Sequence, residues 1–185
     1  RMEDLDTQRT SREYARILRE DLQWLGLTWD RETPAQSQQT KVYDRYFDIL
    51  KEKGLLYPCY CTRSQLHSVN APHLSDGTYV YPGTCRDLTD AQREQKLEEL
   101  AAVGRVPALR LRAQVTEWSV REVFSDEATD GRYTGDVDDM VLRRGGAQDT
   151  GFAYNLAVVV DDTLAGIDQV VRGDDLLSSA PRQAY

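Results

Sequence analysis

An α/β fold is what the sequence predicts, and three observations carry that expectation. Two amphipathic helical stretches lie early in the chain, each closed by a glycine. A continuously apolar run, Asn155-Leu156-Ala157-Val158-Val159-Val160, has the composition of a strand covered on both faces. Between them, further helical and strand-like segments alternate. The 185 residues suit one domain with room for an inserted subdomain, and 40% hydrophobic with 29% charged residues is an ordinary globular balance.

Taken in order, residues 11–25 place Tyr14, Ile17, Leu18, Leu22 and Leu25 at helical spacing, and Gly26 follows where a left-handed cap belongs. A second helix is expected over 38–53, with Val42, Tyr43, Tyr46, Phe47 and Leu50 turned inward and Gly54 ending it. Leu55-Leu56-Tyr57 forms a short extended lead into the cysteines. Residues 62–84, with Pro72, Gly77, Pro82 and Gly83, make a loop long enough to need a staple. A third helix is expected over 87–103, capped by Thr89 or Asp87. Residues 107–112 alternate apolar and basic side chains, as in a strand with one buried face, and 120–124 form a weaker strand. The acidic stretch 125–139 invites a calcium loop opening at Asp126, where Asp130 and Gly131 fit. Ala128 and Val137 then stand where oxygen ligands are required, and calcium is set aside. Val141 opens another short strand, 155–160 give the strongest one, and 167–171 form a strand or turn before a helix starting near Asp174.

Bulk properties narrow the function. No apolar run approaches the roughly 20 residues that span a bilayer. No signal-peptide pattern opens the chain, so a cytoplasmic protein is expected. The three cysteines are odd in number, and Cys59 and Cys61 are one residue apart, which speaks against a disulfide framework. A net charge of −8 disfavours indiscriminate nucleic-acid binding, though a structured RNA could meet a local basic face. Arg144-Gly145-Gly146 is the one glycine-rich candidate for a phosphate loop, and no lysine follows it, so a turn is expected.

The cysteines carry the clearest chemistry. Cys59 and Cys61 are followed by Cys85, with Tyr81 four residues ahead of it. Three soft thiolates and a fourth donor in a loop short of apolar residues suit tetrahedral zinc better than a core of reduced cysteines. The fourth donor is Tyr81, His67 or His73; spacing does not choose between them. Elsewhere, Arg1-Met2-Glu3-Asp4-Leu5-Asp6 has the composition of a solvated charge run. Arg172 follows the Val-rich region, where ligands of open α/β sheets bind and an arginine can hold a carboxylate bidentately. An arginine capping a sheet edge would look the same.

Four ordered stretches, however, resemble one family over nearly the whole chain. They are residues 1–6; residues 59–62 with 81–86; residues 152–162, Phe152-Ala153-Tyr154 leading into the apolar run and Asp161-Asp162; and residues 170–176, running on to Pro181-Arg182-Gln183. The chain is similar to the catalytic core of class I glutamyl-tRNA synthetases, most closely to a shortened branch that attaches glutamate to the queuosine base of tRNA(Asp). The resemblance implies a doubly wound, Rossmann-like core in two parts, 1–56 and 141–185, with a zinc-bearing subdomain inserted at 57–140. It implies that Glu3 faces the ammonium of bound glutamate, that Tyr154 and Arg172 contact the substrate, and that Arg172 meets its side-chain carboxylate. It implies Cys59, Cys61, Tyr81 and Cys85 as ligands of a structural Zn²⁺, with ATP and Mg²⁺ serving the complete enzyme and no general base named.

Glutamate, ATP and a queuosine-bearing tRNA(Asp) are the implied partners of a monomer. Phe152-Ala153-Tyr154, and Asp87 where a histidine ligand could stand, favour that branch over synthetases charging the 3′ end of tRNA(Glu). A zinc-stapled interaction module without activity is the expectation from another class. The family's two ATP-signature motifs, His-Ile-Gly-His and Lys-Met-Ser-Lys-Ser in type, would lie upstream of Arg1 and beyond Tyr185. The segment alone is therefore not expected to form an adenylate.

Overall fold

The structure, a computed structural model, describes residues 1–6, 9–68, 80–124, 130–147 and 150–185. Helix α1 (Arg12–Trp24) starts where Ser11, in extended conformation, accepts the Tyr14 N–H at 3.1 Å. It ends before Gly26, whose φ of 77° a side chain would strain. Its apolar face is left outside: Tyr14, Leu18 and Trp24 are exposed. Helix α2 (Thr40–Glu52) buries Tyr43 and Phe47 with Val42, Tyr46 and Leu50 beside them, the inward face its periodicity requires. After α3 (Arg63–Ser68), α4 (Asp90–Ala102) opens with a capping box in which Thr89 and Gln92 satisfy each other's backbone N–H.

Two antiparallel sheets follow. In the first, β1 (Leu56–Cys59) pairs with β2 (Ala108–Leu111), and β2 with β5 (Val141–Arg143). In the second, β3 (Glu117–Arg121) pairs with β4 (Arg132–Asp136). The weak strand expected over 120–124 thus sits earlier and leaves Phe124 exposed, while β4 arises inside the acidic stretch taken for a loop. Residues 125–129, including Asp126 and Ala128 of the discarded calcium loop, lie outside the described residues. No parallel strand pair, as a doubly wound sheet requires, occurs among the described residues.

The apolar run 155–160 is a helix, not a strand: α5 (Tyr154–Ala165). Leu156, Ala157, Val158 and Val160 are all buried, so the helix is covered on most sides and shows no amphipathic period. Gly166, left-handed at φ 68°, closes it. Residues 167–173 form no regular element, and the helix expected near Asp174 is a 3₁₀ segment (Asp174–Ser179) continuing into α6 (Ala180–Ala184). Strand β2 also departs from its expected one-sided burial. Leu109 and Leu111 pack toward the main core, while Arg110 on the other face is buried as well.

The main core joins the two ends of the chain. Tyr43 and Phe47 from α2 meet Phe152 edge-on at ring separations of 5.9 and 5.7 Å, with Met140, Leu142, Leu156 and Val160 around them. Buried Asp161 on α5 accepts hydrogen bonds from Gln36 (2.9 Å), Gln39 (3.1 Å) and Tyr43 (2.9 Å), so its charge is solvated by protein donors. Phe152 anchors this packing. Phe152→Ala should cost about 3–5 kcal/mol of stability, read as a lower urea midpoint at unchanged slope. A loss under about 1 kcal/mol would place the core elsewhere.

Candidate functional site

The thiols converge because two segments turn toward each other. Strand β1 delivers buried Cys59 and the chain leaving it delivers Cys61. The turn from Tyr81 to Cys85 contains Gly83 at φ 79°, a conformation glycine adopts without strain. All three sulfurs lie within 4.8 Å of one another, with Cys61 and Cys85 3.5 Å apart. The Tyr81 phenol oxygen accepts the Cys59 thiol at 3.5 Å and the Cys85 N–H at 2.8 Å. A tetrahedral ion with metal–sulfur bonds of about 2.3 Å sets its sulfurs roughly 3.8 Å apart, and the cluster fits that spacing. His67 lies on α3, and His73 falls outside the described residues.

Electrostatics at the cluster are uneven. Hydrogen bonds from Cys61 and Cys85, with the nearby Arg110 guanidinium, push the Cys59 thiol far down from its ordinary range. The same sharing, with burial, pushes Cys61 up. Burial, then the Cys59 contact, pushes Tyr81 up. The sharing thus favours the thiolate at Cys59 over one at Cys61. Arg110 stacks 3.6 Å above the Tyr81 ring and donates to the Asp139 carbonyl at 2.7 Å.

The residues that the resemblance implies for substrate lie on other segments: the N-terminal stretch, the start of α5 and the stretch that follows it. Tyr154 begins α5 and is exposed, and its phenol is pushed up by desolvation and by the charge of Glu3; Arg172 and Arg1 oppose that shift. The structure thus brings Glu3, Tyr154 and Arg172 into one electrostatic neighbourhood. Arg172 donates to the Gln183 side-chain oxygen at 2.7 Å, and the Gln183 amide donates onward to Asn155 at 3.1 Å. Among the described residues Arg172 makes no ion pair with a carboxylate. Glu3 accepts from Arg1 at 2.8 Å, and Arg1 also pairs with Asp162. The stretch 1–6 is therefore not merely a solvated run.

Sequence reasoning passed over Arg110, Asn155, Asp138 and Gln183. Gln183 and Asn155 lie inside resemblance stretches; Arg110 was visible only as one of two basic residues on a strand. The Arg144-Gly145-Gly146 turn is structural: a Cβ on Gly145 would come within 2.3 Å of the Ala108 nitrogen, and Gly146 pairs with Val106.

A buried thiol cluster beside a mixed helix-and-strand core with an unpaired arginine narrows the class. Residues 1–185 match the family described as tRNA synthetases class I (E and Q), catalytic domain, and the chain belongs to that family. Within it, the chain is 49% identical over 186 residues to the glutamyl-Q tRNA(Asp) synthetase of Nocardia farcinica, covering 100% of this chain and 55% of that protein. It is 44% identical to the protein of that name from Nitratidesulfovibrio vulgaris, covering 99% of this chain and 57% of that one. A glutamate–tRNA ligase 2 from Nitrosococcus oceani is 37% identical, covering 99% of this chain and 39% of the ligase. The crystal structure of a glutamate tRNA ligase from Elizabethkingia meningosepticum, in complex with its amino acid, shares the fold. Its TM-score is 0.70 at 23% identity, covering 100% of this chain and 38% of that one. The chain spans about half the length of the glutamyl-Q tRNA(Asp) synthetases it matches. No helix among the described residues is long and apolar enough to cross a membrane.

Titration with cobalt(II) should give the visible bands of a tetrahedral, sulfur-rich site, saturating at one ion per chain. Acid should weaken that binding, because thiolates must be regenerated from thiols. Cys61→Ser should lose the tight phase; a mutant that still binds one cobalt with unaltered bands would remove Cys61 from the ligand set.

Proposed function

We propose that the chain forms the central part of an enzyme that activates glutamate with ATP and transfers it to the queuosine base of tRNA(Asp). The observation that supports this reading is Arg172, half-buried and free of any carboxylate partner among the described residues, with the charges of both Arg172 and Glu3 acting on the Tyr154 phenol. Arg172 offers a fixed guanidinium fork to the side-chain carboxylate of glutamate, Glu3 offers an anion to its ammonium, and Tyr154 closes the pocket between them. With both substrate charges held, the α-carboxylate is the group left to attack the α-phosphorus of ATP, with pyrophosphate leaving. Positioning and charge stabilisation supply that step, with no protein nucleophile or general base. Mg²⁺ serves the nucleotide.

Residues 1–56 and 141–185 form the two parts of the catalytic core, whose full sheet is doubly wound; 57–140 form the insertion. The Asp161 hydrogen bonds and the Arg144 bond to the Leu5 carbonyl support that division. Zn²⁺, held by Cys59, Cys61, Tyr81 and Cys85, is the metal that suits three thiols and a phenol, and its role is structural. The enzyme works as a cytoplasmic monomer. A second reading, aminoacylation of tRNA(Glu), is favoured by the glutamate–tRNA ligases among the relatives.

In the full-length protein, Arg172→Ala should raise the KM for glutamate at least tenfold. It removes a charge-assisted pair worth about 1.5–3 kcal/mol. An unchanged KM would take Arg172 out of the pocket. Radiolabelled glutamate should appear on queuosine-containing tRNA(Asp); label on tRNA(Glu) alone would decide for the second reading.

A further inference from the structure

The thiol cluster and the proposed glutamate site are joined by polar contacts that meet at the adjacent residues Arg182 and Gln183 of α6, none of which either site needs for its own ligands. It begins at Tyr81, whose backbone N–H donates to Asp138 Oδ2 at 2.8 Å. The other oxygen of the same carboxylate, Oδ1, faces Arg182 Nη1 at 3.2 Å. Both side chains are out of solvent, 7% exposed for Asp138 and 3% for Arg182, so the pair acts in low dielectric and holds its geometry. Arg182 is followed by Gln183, which grips Arg172 with its oxygen and Asn155 with its amide.

Helix α6 is also seated mechanically on the β3–β4 hairpin. Pro181 is buried, and a Cβ on Gly135 of β4 would come within 3.0 Å of its ring. The Tyr185 ring lies 5.6 Å from Trp118 of β3, and its hydroxyl accepts the Gln114 N–H at 3.0 Å. A five-residue helix held at both ends has little freedom to move independently of the segment that carries Asp138.

From this geometry we infer that Asp138, through Arg182 and Gln183, is a positioning residue for Arg172, so that closure of the thiol loop sets the glutamate-binding arginine. The inference rests on Arg172 being the glutamate-binding arginine. Gln183 is the last link: its oxygen fixes one edge of the guanidinium, which orients the remaining edge toward a carboxylate. Asp138 is the first link, because it touches both the thiol loop and α6. The coupling is reciprocal: whatever loosens the thiol loop weakens glutamate, and bound glutamate tightens the loop.

The test uses the full-length protein, with Arg172→Ala as reference. Gln183→Leu, which fills the same space without either hydrogen bond, should raise the KM for glutamate about tenfold and leave kcat within about threefold. Gln183→Glu, which places an anion on Arg172, should raise it further. Asp138→Asn should raise it comparably, weaken glutamyl-sulfamoyl-adenosine in calorimetry, and speed zinc transfer to a chelator. The double variant Asp138→Asn/Gln183→Leu should be no worse than about the weaker single variant, because both act on one arginine. Stripping zinc from the wild type should weaken the same analogue, and stripping it from Gln183→Leu should add little. If Asp138→Asn does not fold, the Gln183 variants and the chelation comparison decide alone. An unchanged KM in Gln183→Leu, or full additivity in the double variant or on zinc removal, overturns the inference if Arg172→Ala still weakens glutamate. If Arg172→Ala itself has no effect, the reading of the pocket fails, and this inference with it.

Discussion

The buried carboxylates of Asp138 and Asp139 are the constraint on which the second half of the molecule hangs. Asp139 accepts the Tyr57 hydroxyl at 2.6 Å, the Ala113 N–H at 2.8 Å and Arg86 at 2.5 Å, while its carbonyl takes Arg110. Each donor comes from a different segment: β1, the turn after β2, the metal loop and β2. An ionised carboxylate out of water is tolerable only when such donors replace its hydration. Removing any of the three donors to the carboxylate leaves the charge under-solvated, and Arg110 fixes the same residue through its carbonyl, so the four segments share one position. Burial and the carboxylate together hold the Tyr57 phenol well above its ordinary range, which keeps it a donor at any working pH.

Asp161 does for the first half what Asp139 does for the second. It gathers Gln36, Gln39 and Tyr43 from a 3₁₀ turn and α2 onto α5, with Arg1 at 3.7 Å. Two buried anions, each ringed by donors from distant segments, thus specify how those segments meet. Apolar packing around Phe152 supplies the attraction, and it is non-directional. The carboxylates add the register, because a shifted α5 or β2 would strand a charge without donors.

What was legible in the sequence follows from the range of the physics involved. Ser11, Thr89 with Gln92, Gly26 and Gly54 act within a turn of their own positions, so their caps could be read directly. The thiols were legible because metal-binding spacing is itself local. Residues 155–160 were not. Val-rich composition favours a strand, periodicity vanishes when a helix is buried nearly all round, and tertiary burial decides. Arg110 was misjudged for a related reason. Alternation assigned the apolar side of β2 to the core, yet a cation over Tyr81 and beside Cys59 belongs inside. Glu3, Arg172 and the charges around Tyr154 lie about 170 residues apart at the extremes, and only the resemblance joined them.

Arg110 also explains how three thiols can be buried ready to be ionised. A desolvated sulfur cluster resists losing protons, since each thiolate raises the cost of the next. The Arg110 guanidinium beside Cys59 lowers the first step, and the hydrogen bonds from Cys61 and Cys85 spread the resulting charge. The same hydrogen-bond sharing pushes Cys61 up, and burial pushes Tyr81 up. At the proposed zinc site a divalent cation would supply positive charge and displace thiol protons on binding. The short loop from Tyr81 to Cys85 has few apolar side chains to hold it, so its closure follows the charge balance at sulfur. The Asp138 carboxylate accepts the Tyr81 backbone N–H and so ties that loop to the segment that follows β4.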